Sequence, residues 1–337
     1  MRPRQNPRLM ISLSKMDNRP ALFIDSGLVI RGSRNLFTVR VAAREIESRI
    51  KGKILKGVEG YYNPLAPGDL VEIENGLIIG FEKRRNEFAR FNQKGQAPQL
   101  LAANVDTVFC VTSFSSPPFR PRFLDRALVQ AEAAGIPAVI VCNKCDLALG
   151  DEDVDPDIEE RLSDFERLGY RIFRLSVLTG EGLDELKRFM AGKLSVLVGQ
   201  SGVGKSSLVN ALIPELKVKT GAVNEKYNRG IHTTTQGVLL ETRFEKNENE
   251  KIRLIDTPGI RRFALAGIPA GDLILYMREF APLAGKCSFG LSCSHVIEPG
   301  CKIMEAVAAG VIHEDRYESF MRIREELAGT LEYPDYD

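Results

Sequence analysis

The pattern of apolar and polar positions changes character near residue 100. From about Ala21 to Phe91, short runs rich in β-branched and large apolar residues (ALFIDSGLVIRG, LFTVRVA, DLVEIENGLIIGFEKR) are separated by Gly, Asn and Pro turns. That is the pattern of a small all-β barrel. After the polar stretch FNQKGQAPQ, read as a linker, apolar runs alternate with amphipathic segments. VDTVFCVTSF, PAVIVCNK, YRIFRLSV, LSVLVGQ, GVLLETRFE and IRLIDTPG read as strands of a mostly buried sheet, with RFLDRALVQAEAAG, DIEERLSDFERLG, LDELKRFMAG and KSSLVNALI as helices between them. Strand and helix in alternation predict an α/β domain with a parallel sheet, whose ligand sits at the carboxyl ends of the strands. From about Pro269 the chain reads as helical, broken by a Cys-rich loop. The expected organisation is a basic flexible arm over 1–20, a barrel over 21–95, the α/β domain over 100–268 and a small, mostly α part over 269–337.

Composition narrows the setting. With 337 residues, 44% hydrophobic and 27% charged, the chain is long enough for two or three domains and is neither disordered nor fibrous. No stretch approaches the roughly 18 apolar residues a membrane span needs. The start MRPRQNPRLMISLSKMD carries charges where a signal peptide is apolar, which predicts a cytoplasmic protein with no membrane partner. The net charge of +1 hides an asymmetry: residues 1–100 carry 18 Lys/Arg against 10 Asp/Glu, and the remainder 28 against 35. A basic N-terminal third points to nucleic-acid contact. An OB-like barrel fits its length and charge, as does another small β-domain with a solvated basic face.

Four segments carry chemistry. GQSGVGKS, from Gly199 to Ser206, follows an apolar strand and opens a helix, the context of a P-loop. Gly199, Gln200, Ser201, Gly202, Val203, Gly204 and Ser207 present the loop around a phosphate, Lys205 reaches the β- and γ-phosphates, and the Ser206 hydroxyl ligates magnesium. In IRLIDTPG, Asp256 ends a strand where such a carboxylate holds magnesium, and the Gly259 N–H meets the γ-phosphate. NKCD follows another strand: Asp146 can accept both N–H donors of a guanine edge, Lys144 packs over the base and Asn143 ties the loop to the P-loop region. SVLTGEG, starting at Ser176, closes the other side of the base. RGIHTTT, residues 229–235, lies where a switch segment belongs, with Thr234 as the hydroxyl that ligates magnesium only when the γ-phosphate is present.

Six cysteines in so long a chain do not form a disulfide scaffold. Cys142 and Cys145 form a C-x-x-C that straddles the guanine motif and is read as part of it rather than as a redox pair. Cys287, Cys293, His295 and Cys301 crowd into fifteen residues as C-x5-C-x-H-x5-C, three thiolates and an imidazole, the ligand set of a closed structural zinc site. His313, on a charged helix, reads as a surface residue.

The order NKCD, SVLTGEG, GQSGVGKS, RGIHTTT, DTPGIRRF, followed by the Cys and His ligands, departs from an ordinary GTPase, in which the P-loop comes first. It looks like a circular permutation, and over about residues 21–325 it closely resembles the RsgA or YjeQ family of ribosome small-subunit-dependent GTPases. The resemblance implies an N-terminal OB-fold, a central permuted GTPase using GTP, GDP and Mg2+, and a C-terminal domain holding one structural Zn2+. It further implies a factor that acts late in small-subunit maturation, binds the subunit's rRNA near its decoding region, works alongside other assembly factors and is stimulated by the subunit. A monomer is expected. The family's first Cys–Cys spacing is usually one residue shorter than the one here.

The residue after DTPG, where a Ras-like enzyme places its water-orienting glutamine, is Ile260. His232, beside the switch threonines, is the polar side chain best placed to replace it, and the family resemblance points to the same position. Two other readings are weighed against this one: an RNA-binding scaffold with nucleotide as a structural ligand, against which Lys205, Ser206 and Asp256 argue, and a P-loop ATPase or small-molecule kinase, against which Asp146 argues.

Overall fold

A computed structural model describes residues 24–33, 35–52, 57–114, 117–149, 157–216, 237–244, 247–260 and 262–330. The expected N-terminal arm and the RGIHTTT segment, with His232 and Thr234, lie outside the described residues.

Five strands form the N-terminal barrel: β1 (Ile24–Ser33), β2 (Leu36–Val41), β3 (Arg44–Ile50), β4 (Leu70–Glu74) and β5 (Leu77–Phe81). Their order is β1-β2-β3-β5-β4, and β4 returns to pair with β1 from Ile24↔Glu74 to Leu28↔Leu70, which closes the ring. β3 and β5 run parallel and the other neighbours antiparallel, the arrangement of a five-stranded OB-type barrel. The period-2 alternation explains its interior: Phe37 and Val39 on β2 point inward with Val29, Val71, Ile73 and Ile78, while Thr38 and Arg40 point out.

FNQKGQAPQ, read as a linker, is not one. It holds the turn and inner halves of a hairpin, β6 (Glu87–Asn92) with β7 (Ala97–Ala103). Phe88 and Leu101 of this hairpin enter the main core, and the Phe91 N–H donates to the Ala264 carbonyl at 2.9 Å.

The α/β part holds β8 (Thr107–Ser113), α1 (Pro121–Ala133), β9 (Ala138–Asn143), α2 (Ile158–Arg167), β10 (Arg171–Arg174), α3 (Leu183–Met190), β11 (Leu194–Gly199), α4 (Lys205–Leu212), β12 (Val238–Phe244) and β13 (Asn247–Asp256). Strand order is β10-β9-β8-β11-β13-β12, parallel throughout except for β12. Continuous apolar strands are what a sheet covered on both faces requires. Val108, Cys110, Ile140, Val196 and Val198 pack on one face with α1, α2 and the C-terminal helices; Phe109, Val111, Val139, Val141 and Leu197 pack on the other with α3 and α4. Among the described residues, the pairing Arg31↔Val238 joins the barrel to this sheet through β1 and β12.

Beyond Pro269 come a 3-10 turn, Ala270–Tyr276, and two helices, α5 (Lys302–Ala308) and α6 (Glu314–Leu327). A buried ion network ties α6 to α1. Arg316, 1% exposed, donates from Nε to Glu279 Oε1 at 2.6 Å and from Nη2 to Glu279 Oε2 at 3.1 Å, and from Nη1 to Asp125. Arg126 of α1 pairs with Glu326.

Candidate nucleotide site and metal centre

The loop expected to hold phosphate connects β11, buried throughout, to α4. Gly204 caps the helix at φ +93°, and a Cβ there would lie 2.3 Å from Asn143 Nδ2, so only glycine fits. Gly199 is equally constrained, since a Cβ would stand 2.4 Å from the Val111 carbonyl oxygen. Lys205 is 7% exposed and its ammonium donates to the carbonyls of Gly199 and Gln200, each at 2.6 Å. Burial brings its pKa down to about 8, opposed by the charge of Asp256. Asp256, 8% exposed, lies opposite Leu197 of the P-loop strand. Burial pushes it up to about 6, opposed by Lys205. A buried carboxylate and a buried ammonium at the mouth of a parallel sheet suit a charged, metal-bearing ligand. Ser206 and Ser207 follow Lys205, half-buried on the first turn of α4.

The NKCD loop, expected to read the base, packs directly on the loop expected to hold phosphate. Asn143, at the end of β9, donates from Nδ2 to the Val203 carbonyl at 3.0 Å and accepts at Oδ1 from the Val177 N–H at 3.2 Å. One side chain thus holds three loops together. Lys144 has φ +64° and its ammonium donates to the Gly202 carbonyl at 3.0 Å. Asp146 Oδ1 is buried with no hydrogen-bond partner among the described residues. An orphaned buried acceptor is costly unless a ligand supplies the donor, and a guanine edge carries two. Ser176, fully buried, accepts at Oγ from the Thr179 N–H at 3.1 Å and shapes the loop on the other side.

The DTPG turn stands against the phosphate loop, and a Cβ on Gly259 would lie 3.5 Å from Ser201 Cα. Thr257 anchors the turn by donating from Oγ1 to the Leu197 carbonyl at 2.6 Å. Ile260 is 4% exposed and belongs to the apolar core. Beside the turn opens a cavity of about 760 Å³ between the β6–β7 hairpin and the phosphate loop. Among the described residues the charged ones lining it are all cations, Arg90, Lys94, Arg120 and Arg262, and Gln200, Ser201 and Gly259 form its other wall. Burial holds Arg90 below the ordinary guanidinium value; its Nε is buried with no partner among the described residues, and its Nη2 donates to Gln99 Oε1 at 3.2 Å.

Cys287, Cys293, His295 and Cys301 form one buried cluster whose ligand atoms lie within 4.8 Å of one another. Cys287 Sγ and Cys301 Sγ are 3.8 Å apart, and each stands 3.6 and 3.5 Å, respectively, from His295 Nδ1. A tetrahedral zinc with bonds of about 2.3 Å to sulfur and about 2.0–2.1 Å to nitrogen places S and S about 3.8 Å apart and S and N about 3.6 Å apart. Cys287, His295 and Cys301 therefore stand at zinc-ligand spacing, and Cys293 completes the set within 4.8 Å. The Lys302 and Met304 N–H groups donate to Cys287 and Cys301 sulfur at 3.3 and 3.5 Å, contacts that favour thiolates. The long step from Cys287 to Cys293 is taken by a 3-10 turn, Gly290–Ser292. His313 stands apart as the cap of α6, with Nδ1 accepting from the Asp315 N–H at 3.2 Å.

A sequence model of the RsgA GTPase family matches residues 81–266. The chain belongs to the RsgA GTPase family. It is 37% identical over 279 residues to the small ribosomal subunit biogenesis GTPase RsgA of Chlorobaculum parvum, covering 79% of this chain and 86% of that protein. The protein of the same name from Gemmatimonas aurantiaca is 37% identical over 314 residues, covering 90% and 98%. Among solved structures, YjeQ from Thermotoga maritima superposes with a TM-score of 0.66 at 31% identity, over 91% of this chain and 99% of that one. YloQ, a circularly permuted GTPase, shares the fold with a TM-score of 0.64 at 24% identity, over 95% and 100%.

Membership in the RsgA family accounts for the permuted order: NKCD precedes GQSGVGKS in the chain, yet β9 and β11 flank β8 and deliver both loops to one end of the sheet. The expected P-loop, guanine-loop and DTPG residues meet there, and the four expected zinc ligands meet about the C-terminal turn. Sequence reasoning missed the cation-lined cavity and the buried Arg316 network. Only the overall basic charge of the first hundred residues hinted at the first.

Proposed function

We propose that this protein hydrolyses GTP to GDP and phosphate as a late maturation factor of the small ribosomal subunit, contacting its rRNA and stimulated by it. The observation that carries the reading is the Asn143–Val203 bond, which joins a guanine-type loop to a phosphate loop in a chain whose relatives are named small ribosomal subunit biogenesis GTPases. Asp146, Lys144 and Ser176 hold the base, the loop from Gly199 to Ser207 holds the phosphates, and Gly259 offers its N–H to the γ-phosphate. Lys205 stabilises charge that develops on the transferred group. Magnesium, held by Ser206, Asp256 and Thr234, supplies neutralisation of phosphate charge when bound. His232 orients the attacking water once the switch segment is ordered. The barrel and the cation-lined cavity favour rRNA, and the Cys3His cluster holds one structural zinc that fixes the C-terminal turn. The protein acts as a cytoplasmic monomer. Cosedimentation with small subunits in a non-hydrolysable GTP analogue against GDP, paired with turnover with and without subunits, tests the reading. Equal binding in both nucleotide states together with unstimulated turnover would overturn it.

A further inference from the structure

Cations near the β6–β7 hairpin fall into two groups. Arg84 and Arg85, just before the hairpin, pair with Asp69 at 2.6 Å and Asp106 at 2.7 Å, and Arg122 in the first turn of α1 pairs with Glu318 at 3.1 Å. The cations lining the cavity beside the DTPG turn differ. Lys94 and Arg120 are exposed and have no acidic partner among the described residues. Arg90 is half-buried, and its bonds go to neutral oxygens, the Arg262 carbonyl at 3.4 Å and Gln99 Oε1 at 3.2 Å. No carboxylate lines the cavity among the described residues. Converging cations repel one another, and a half-buried guanidinium that has exchanged water for uncharged partners is left without its counter-charge, so an anion completes the site.

An aromatic ring narrows the class of anion. Tyr62, 45% exposed, lines the same cavity, and its N–H donates to the Pro98 carbonyl of β7 at 2.7 Å. Gly95, in the hairpin turn, lies so close that a Cβ there would stand 2.2 Å from Tyr62 Cδ2, so the turn braces the ring where it stands. An inorganic anion would use the cations and ignore the ring, whereas an RNA nucleotide uses both, its phosphodiester on the cations and its base on the ring. The base must be unpaired to reach an aromatic face, since stacking inside a helix hides it. At about 760 Å³ the cavity lies within the roughly 300–1,000 Å³ of small-ligand sites, a size for a nucleotide and not for a duplex.

We propose that this cavity seats one unpaired nucleotide of an RNA strand, its base stacked on Tyr62 and its phosphodiester held among Arg90, Lys94, Arg120 and Arg262, and that the seat tightens when the neighbouring nucleotide site holds a γ-phosphate. The second half rests on the GTP reading proposed above. Ser201 and Gly259, where the DTPG turn meets the loop expected to hold phosphate, line the cavity together with Gln200. A γ-phosphate that bridges this loop and the Gly259 N–H fixes the two parts of the wall against each other. RNA that needs the assembled wall therefore favours the GTP state over the GDP state, and by linkage it raises affinity for GTP relative to GDP by the same factor. Tyr62, Lys94 and Arg120 have no part in holding the guanine nucleotide, so each can be changed without touching that site.

The test uses the full-length, zinc-loaded protein and a fluorescein-labelled oligouridylate, read by anisotropy without nucleotide, with GDP and with a non-hydrolysable GTP analogue. The single strand should bind more tightly than the same strand annealed to oligoadenylate, and more tightly with the GTP analogue than with GDP. Tyr62→Ala should weaken single-strand binding by about fivefold to a hundredfold, while Tyr62→Phe keeps it. The double variant Lys94→Gln, Arg120→Gln should flatten the slope of log affinity against log salt by about 1.4, at about 0.7 for each cation lost to a single strand. Wild-type GDP affinity in each variant checks the fold, and Tyr62→Leu, which keeps an apolar side chain but no ring to stack on, repeats the ring test if Tyr62→Ala does not pass. Full single-strand affinity in these ring variants overturns the proposal, as does equal affinity for strand and duplex. Loss in the double variant alone, with inorganic pyrophosphate displacing the strand, would make the cavity a site for free anions and overturns it too. Equal binding with GDP and the GTP analogue overturns the coupling. A protein that binds no guanine nucleotide would instead refute the GTP reading, and the nucleotide-free comparison of wild type with Tyr62→Ala would still decide the seat.

Discussion

The Asn143 side-chain amide donates to the Val203 carbonyl at 3.0 Å across sixty residues of sequence, and the same side chain accepts from the Val177 N–H at 3.2 Å. It is buried, so neither partner has water to fall back on when it is removed. Asn143→Ala should therefore weaken GTP and GDP together by about 1–3 kcal/mol, the cost of leaving buried polar groups unpaired. Equilibrium titration with both nucleotides checks this; unchanged affinity would show that the three loops hold their positions without it.

Asp146→Asn probes the orphaned carboxylate oxygen. An amide offers a donor where guanine needs an acceptor, so the variant should lose guanine preference and gain affinity for xanthine nucleotides, whose edge carries an acceptor there. Competition among GTP, XTP and ATP gives the answer. Retained wild-type preference for GTP over both would mean that another group reads the base.

Arg316 is predicted to matter for stability rather than for nucleotide. Its guanidinium pairs with Asp125 Oδ1 and with both carboxylate oxygens of Glu279 in a site where all three side chains are at most 3% exposed. Arg316→Met leaves two carboxylates buried without their cation and should cost about 3–5 kcal/mol. Urea unfolding at neutral pH measures it, and the double variant with Asp125→Asn should recover part of the loss. A single-variant loss below about 1 kcal/mol would show that the site hydrates or rearranges.

How much of this could be read from the chain follows the physics of each element. The parallel strands were legible because both faces are buried, which makes each an unbroken apolar run. β3 escaped because the middle of its three inward positions, Ile46, Ser48 and Ile50, is polar, so its apolar alternation fails where it would be diagnostic. The β6–β7 hairpin escaped because Gly, Pro, Lys and three glutamines crowd its turn and β7, while its core contacts, Phe88 and Leu101, lie outside the polar stretch. The loops expected to hold phosphate and guanine, and the Cys and His cluster, could be picked out because each set is local in sequence. The cation-lined cavity and the Arg316 network were not, since they assemble from segments more than a hundred residues apart.

For the metal, protein purified without chelator should carry about one zinc per chain, and Cys293→Ser or His295→Ala should lose it. Much of the C-terminal turn between Cys287 and Cys301 has exposed apolar side chains, among them Leu291 at 88% and Ile297 at 87%. With so little core of its own, the segment should become protease-sensitive once the ligand set is broken. Elemental analysis and limited proteolysis report on the two halves, and zinc-free protein with an intact, resistant C-terminal region would contradict both.

The last prediction concerns the attacking water. Ile260 sits where a Ras-like enzyme has its glutamine, and it is 4% exposed within the apolar core, so neither its chemistry nor its direction serves water. That leaves His232, in the segment between α4 and β12, as the residue proposed to orient it. If it does so only when the subunit orders that segment, His232→Ala should keep GTP affinity and subunit binding while losing about 10²-fold to 10⁴-fold of the stimulated rate. Ile260→Gln should not restore it, because a glutamine at a core position has to be expelled from the core before it can meet water, and the expulsion disturbs the DTPG turn it follows. Single-turnover hydrolysis at saturating small subunits is the measurement, since product release cannot mask chemistry there. A His232→Ala protein stimulated as strongly as the wild type would transfer the role to a group supplied by the ribosome.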